Sequence, residues 1–289
     1  MKVFRYLADG REGWAVCNTT TGLWHGCTEA NDRYPGSVDM QIRKGPDALA
    51  EAAGVMRQQP SLDLDAVRLL PPVGHPAKII CVGLNYTDHS AESGFQQPTY
   101  PTLFSRFTTS VIAHDAPMLH SALSDTLDYE GELAVIIGKS GKNIARAQAL
   151  DHVLAYSVFN DGSVREYQFK SPQWMMGKNF DGTGAFGPWL VTADELPPGA
   201  RGLQLETRLN GQTVQSANTS EMVFDVESLI VTISEAMTLE AGDVIVAGTP
   251  SGIGHARDPR LYMKPGDVCE VEIEGIGLLR NRVQQASAA

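Results

Sequence analysis

Asp128-Tyr129-Glu130-Gly131-Glu132-Leu133-Ala134-Val135-Ile136-Ile137 is the stretch on which the reading of this chain turns. The apolar run from Leu133 predicts a strand, and its acidic approach puts Glu130 and Glu132 two residues apart, hence on one side of an extended backbone. Taken alone, that pair fits the solvated face of a half-buried strand better than it fits a site. A second apolar run, residues 152–159, ends in Asn160-Asp161 and adds a third carboxylate at a strand end. Three carboxylates brought together raise one another's pKa or recruit a cation, and an all-oxygen set favours a hard ion such as Mg²⁺ or Mn²⁺.

Working outward, strand-length apolar runs recur between turn signals at residues 78–82, 203–209, 244–247 and 268–273. One helix interrupts them, with Asp225 as N-cap and Val226, Leu229, Ile230, Ile233 and Met237 on one face. Toward the N-terminus, short strand-like pieces (Val3-Phe4-Arg5-Tyr6, Trp14-Ala15-Val16-Cys17) precede a helix over residues 46–59, where Leu49, Ala52, Ala53 and Met56 share a face. Leu70-Pro71-Pro72-Val73-Gly74-His75-Pro76 reads as an extended connection. The expected organisation is therefore a small α/β domain over residues 1–70 and a strand-rich α+β domain over residues 71–289.

Three further stretches carry residue types suited to chemistry. Thr87-Asp88-His89-Ser90-Ala91-Glu92 places His89 and Glu92 one turn apart if helical. A carboxylate beside an imidazole fixes its tautomer and raises its basicity, although such pairs also occur on ordinary surface helices. Lys178 lies in the apolar Trp174-Met175-Met176-Gly177-Lys178-Asn179-Phe180, where it either faces an anionic ligand or extends to solvent. Gly248-Thr249-Pro250-Ser251-Gly252-Ile253-Gly254 is a glycine-rich turn whose N–H groups and Thr249 hydroxyl suit a carboxylate, and equally a plain tight loop. Gly138-Lys139-Ser140 is no phosphate-binding loop, because the glycine that motif needs at 133 is Leu133. Ser251 sits one place off a nucleophile elbow.

Composition narrows the partners. With 289 residues, 43% hydrophobic and 20% charged, the chain can bury a sizeable core. Its 34 acidic against 23 basic side chains give a net charge of −11, which disfavours nucleic acid and anionic membranes and leaves a small molecule as the expected partner. No apolar run approaches the ~20 residues that cross a bilayer. Four scattered cysteines (Cys17, Cys27, Cys81, Cys269) suggest neither a disulfide framework nor a zinc site, so a cytoplasmic setting is expected.

In order and spacing these stretches resemble the fumarylacetoacetate hydrolase family over about residues 76–283. The matching segments are Ile80-Cys81-Val82-Gly83-Leu84-Asn85-Tyr86-Thr87-Asp88-His89, Tyr129-Glu130-Gly131-Glu132-Leu133-Ala134, Asn160-Asp161-Gly162-Ser163-Val164-Arg165, Gly177-Lys178-Asn179-Phe180-Asp181, Gly187-Pro188-Trp189, Asn218-Thr219-Ser220-Glu221-Met222-Val223-Phe224, Gly242-Asp243-Val244-Ile245 and the turn 248–254. The resemblance implies a mixed β-roll catalytic domain behind a small N-terminal α/β accessory domain, a homodimer, and a Mg²⁺ or Mn²⁺ site. It implies Glu130, Glu132 and Asp161 as metal ligands and His89 with Glu92 as a water-activating dyad on a lid. Lys178 would face an enolate or carbonyl oxygen, and Arg165, Gln168 and Thr249 would line the pocket.

Two departures stand out. Many members have lysine where this chain has Arg106 in Leu103-Phe104-Ser105-Arg106, and an arginine there is expected to clamp a substrate carboxylate in two-point fashion. Gly182-Thr183-Gly184-Ala185-Phe186 also differs from the usual Pro-x-Gly-Pro ending, which alters the expected pocket shape. The activity implied is hydrolysis of a C–C bond in a 2,4-dioxo acid, an acylpyruvate or fumarylpyruvate-like compound of aromatic breakdown, since such an acid can chelate a divalent ion through its C1 carboxylate and C2 oxygen. Isomerisation, tautomerisation or decarboxylation of 2-oxo and 2-hydroxydienoic diacids is the alternative on the same scaffold. A non-catalytic, metal-stabilised binding domain is the third reading.

Overall fold

The computed structural model describes every residue except 93, 95, 288 and 289, with the backbone alone at 90 and 91. The apolar run after Glu132 forms the strand Gly131–Ile137, buried at every position. It pairs antiparallel with Val153–Asp161, also buried throughout, and on its other side with Val244–Val246. Burial on both faces is why polar alternation is missing here. Leu133, Val135 and Ile137 pack into one core with Leu229, Ile230, Ile233 and Val271. Ala134 and Ile136 enter a second core with Trp14, Ile42, Leu49 and Met56.

From that centre the sheet runs through Ile79–Gly83, parallel to Val244–Val246, to an edge strand Thr102–Arg106. In the other direction it runs through Gly184–Thr192 to Lys2–Ala8, joined at Lys2 opposite Val191 and Val3 opposite Leu190, and on to Arg11–Cys17 and Trp24–Thr28. The N-terminal strands thus extend the same hydrogen-bonded ladder, while the helices Val38–Lys44 and Pro46–Met56 contribute Ile42, Leu49 and Met56 to the second core. A second mixed sheet, Gln212–Asn218, Gln204–Leu209, Val268–Ile273, Gly277–Gln285 and Met118–His120, shares the first core. The architecture is the strand-rich α+β arrangement expected.

Element ends differ locally from the sequence expectation. The helix expected over residues 46–59 stops at Met56, since Pro60 has no N–H with which to continue it. Asp225 caps the helix Val226–Ala236 as expected, its Oδ1 accepting the Ser228 N–H at 2.9 Å. Among the described residues, no helix is long and apolar enough to cross a membrane.

Candidate active site

Strand register assembles the acidic cluster. Gly131 lies opposite Asn160, so Glu130 and Asp161 meet where the two central strands end. The join is closed by hydrogen bonds: Glu130 N–H donates to Asn160 Oδ1 at 3.0 Å, and Asp161 N–H donates to the Glu130 carbonyl at 2.9 Å. Glu132, two residues on, projects to the same side. One oxygen from each of Glu130, Glu132 and Asp161 lies within 4.8 Å of the others.

Cations answer two of these three carboxylates. Lys178 Nζ lies 2.6 Å from both Glu130 Oε2 and Asp161 Oδ2. Arg165 Nη1 is 2.6 Å from Glu130 Oε1, and Arg106 Nη1 pairs with Asp161 Oδ1. Burial alone would raise the Glu130 carboxyl, but Lys178 and Arg165 overcome it and hold it at about 2. Lys178 is pressed downward by its own burial, yet Asp161 and Glu130 raise it above the ordinary lysine value. Glu132 is met by a neutral donor, the Gly248 N–H at 2.6 Å. Burial, then Asp161 and Glu130, push its carboxyl well up. Three converging carboxylate oxygens, one facing its neighbours' negative charge without a cation of its own, fit a hard divalent ion.

The glycine-rich turn supplies that N–H. Gly248 has a φ of 100°, and a Cβ there would lie 2.6 Å from Asn85 Cβ. Gly252 also has a φ of 100°, and its Cβ would lie 2.1 Å from the Val214 carbonyl oxygen. Side chains are excluded at both positions. Thr249 Oγ1 donates to the Gly131 carbonyl at 3.0 Å, which ties the turn to the acidic strand.

His89 and Glu92 face the same cavity from the helix Thr87–Glu92. His89 Nδ1 is 3.0 Å from Glu92 Oε1, and the Glu92 carboxylate accepts the Gly252 N–H at 2.9 and 3.0 Å. The carboxylate therefore locks both the imidazole and the short helix against the turn, leaving His89 Nε2 as the second ring nitrogen. Asn85 anchors the approach to this helix through the Ala247 carbonyl and the Phe224 main chain.

The cavity encloses about 400 Å³. His89, Glu130, Glu132, Arg165, Gln168, Lys178 and Thr249 bound its polar side, and Leu84, Phe104, Phe169, Trp174 and Ile253 its apolar side. Arg165 is held by Asp128 Oδ2 at Nε (2.8 Å) and by Gln168 Oε1 at Nη1 (2.9 Å), while its buried Nη2 has no hydrogen-bond partner among the described residues. That orphaned donor is what an oxo-acid carboxylate would satisfy.

Arg106 is placed elsewhere than the sequence led us to expect. It is 2% exposed and does not line the cavity. Its donors go to Asp161, the Gly162 carbonyl, Thr183 and Ser110. The guanidinium backs the acidic cluster from the protein side, which corrects the substrate clamp expected for it. Sequence reasoning also passes over Asp128 and His255. Asp128 is fully buried and accepts from Tyr129 N–H, Gly254 N–H, His255 N–H and Arg165 Nε. The signal available is an acidic residue opening the apolar stretch 128–137, and for His255 its position directly after the glycine-rich turn.

Comparison with known proteins agrees with this geometry. Residues 78–284 match the family described as fumarylacetoacetate (FAA) hydrolase C-terminal. The chain is 40% identical over 257 residues to a Xenopus laevis protein named oxaloacetate tautomerase fahd2, mitochondrial, covering 86% of this chain and 80% of that one. It is 39% identical over 265 residues to a Bacillus subtilis protein named oxaloacetate tautomerase YisK, covering 87% and 88%. A solved structure described as fumarylacetoacetate hydrolase from psychrophilic Exiguobacterium antarcticum superposes with a TM-score of 0.85 at 38% identity, over 99% of this chain and 100% of that one.

Proposed function

The chain belongs to the fumarylacetoacetate hydrolase family, and from that premise we propose that it interconverts the keto and enol forms of a 2-oxo dicarboxylate, oxaloacetate being the substrate to test. The observation that carries the reading is that one cavity is lined by the His89–Glu92 pair, Lys178, Glu130 and Glu132, with an Asp161 oxygen within 4.8 Å of the last two. Extended similarity to two proteins named oxaloacetate tautomerases favours proton transfer over bond cleavage.

Glu130, Glu132 and Asp161 would hold a divalent ion, which when bound supplies a Lewis acid that orients a 2-oxo acid and draws charge toward its C2 oxygen. Arg165 Nη2 receives the C1 carboxylate. Lys178, kept charged among carboxylates, stabilises negative charge growing on the C2 oxygen. His89 Nε2 takes the proton from C3, with Glu92 on Nδ1 holding the ring and supporting the imidazolium. The same proton then returns to the C2 oxygen, so no water is consumed and no carbon–carbon bond breaks. A positioned base of this kind is typically worth ~10²–10⁴-fold in rate.

Hydrolysis of a 2,4-dioxo acid is the second reading, favoured by the same dyad's capacity to activate water and by the fold shared with the Exiguobacterium protein. One assay separates the two. Purified protein with Mg²⁺ or Mn²⁺ is mixed with enol-oxaloacetate and, separately, with an acylpyruvate. Faster loss of enol absorbance with unchanged product mass supports tautomerisation; acid fragments from the acylpyruvate with no effect on the enol would replace it with hydrolysis.

A further inference from the structure

His255 lines the cavity together with the apolar side chains Phe169, Trp174 and Ile253. Phe169 lies against the imidazole with ring centroids 5.2 Å apart. Tyr262 Oη is 2.7 Å from His255 Nδ1. The His255 N–H donates to Asp128 Oδ2 at 2.9 Å, and that same oxygen accepts Arg165 Nε at 2.8 Å. The Leu261 N–H closes the loop on the Gly254 carbonyl at 3.0 Å, which keeps Tyr262 beside His255. The His255 main chain and the Arg165 side chain are thus tethered to one atom, which holds the His255 backbone beside Arg165 independently of any ligand.

The hydrogen-bond chain also sets the tautomer. Burial, with Arg165 and Arg260 nearby, holds the imidazole below its ordinary value, so it is neutral at neutral pH. Burial raises the Tyr262 phenol, which stays protonated, and the positive charge of Arg260 nearby favours the phenol oxygen, not its proton, on that side. The Tyr262 proton therefore turns to His255 Nδ1, and the ring's own proton resides on Nε2. A neutral donor stands in an apolar wall under the positive potential of two arginines.

Resting on the tautomerase reading above, we propose that His255, positioned by Tyr262 and Asp128, is the subsite that receives the substrate's distal carboxylate and so selects dicarboxylic over monocarboxylic 2-oxo acids. Without such a donor, a second carboxylate would be desolvated against Phe169 and Trp174 unpaired, which is costly. With it, the cavity offers one donor group to each end of a 2-oxo diacid, Arg165 for the proximal carboxylate and His255 for the distal one.

The test measures Mg²⁺-supported binding of oxaloacetate and of 2-oxobutyrate, which has the same four-carbon skeleton without the distal carboxylate. His255→Ala should weaken oxaloacetate about tenfold, the scale of one lost hydrogen bond to a charged group, and leave 2-oxobutyrate within about twofold. Tyr262→Phe should give a smaller loss in the same direction, and His255→Gln, which keeps a donor, should recover part of it. Equal weakening of both ligands, or no weakening of either, overturns the proposal. Failure of the parent reading is seen separately: wild-type protein that prefers oxaloacetate in binding yet does not speed its tautomerisation keeps the subsite and loses the reaction.

Discussion

Asp128 Oδ2 accepts Arg165 Nε at 2.8 Å, and both side chains are buried. The pair joins the short strand Leu127–Asp128, just before the acidic strand, to the short helix Arg165–Gln168, and Asp128 reaches the Gly254 and His255 amides with its remaining capacity. Without Asp128 the Arg165 guanidinium keeps only Glu130, and Nε and the Gly254 and His255 amides lose their acceptor, at a cost of roughly 1–3 kcal/mol for a buried group left unsatisfied. Asp128→Ala should therefore lower stability on that scale and raise the KM for the 2-oxo acid, because Arg165 loses its orientation. Denaturant unfolding together with steady-state kinetics checks this, and an unchanged midpoint would refute it.

Asp225 caps the helix Val226–Ala236 and pairs with the exposed Arg146. Burial would raise its carboxyl, but Arg146 and Ser228 hold it at about 2. A carboxyl whose folded pKa lies below its unfolded value of about 3.9 contributes stability above that value and loses it as pH falls toward 2. Asp225→Ala should cost about 1 kcal/mol at neutral pH, as loss of an N-cap does. Asp225→Asn, which keeps the capping oxygen, should cost less and should flatten the fall in Tm between about pH 4 and pH 2.

Much of the architecture is legible in the order of the amino acids alone. Glu130 and Glu132 fall on one side because the strand period is two, and Asp161 stands at a strand end because an apolar run stops there. Their convergence depends on the register that sets Gly131 against Asn160, a long-range property that composition does not encode. Arg106 defeats a local reading for a related reason. Its neighbours in sequence do not reveal whether a guanidinium at the end of an edge strand enters the cavity or turns behind it. Asp128 and His255 escape notice because their roles exist only once the turn after Gly252 folds back onto the acidic strand. Local pattern specifies the elements, and distant pairing specifies the chemistry.

Arg106, packed behind Asp161, serves to position that carboxylate. Arg106→Ala should leave the KM for a 2-oxo diacid within about twofold while weakening Mg²⁺ binding, since Asp161 would lose the donor that orients it. A selective rise in KM with Mg²⁺ affinity intact would restore the substrate clamp suggested by the sequence. Isothermal titration with Mg²⁺ alone provides a readout independent of turnover.

Glu132 gives the sharpest test of the ion site, because its carboxyl is pushed up by burial and by two carboxylates and its hydrogen bond among the described residues comes from the neutral Gly248 amide, whereas Lys178 and the arginines pair directly with the others. A divalent ion that binds the folded chain and not the unfolded one should stabilise it by about 2.7 kcal/mol at a hundred times its Kd. Mg²⁺ or Mn²⁺ should therefore raise the Tm of the chelator-treated protein, and oxalate should raise it further only when the ion is present. Glu132→Gln keeps the shape and the Gly248 hydrogen bond while removing the charge, so it should fold and yet lose most of the ion-dependent shift. If Glu132→Gln responds to Mg²⁺ as the wild type does, the three carboxylates do not form the ion site, and the tautomerase mechanism proposed for this cavity loses the group that orients its substrate.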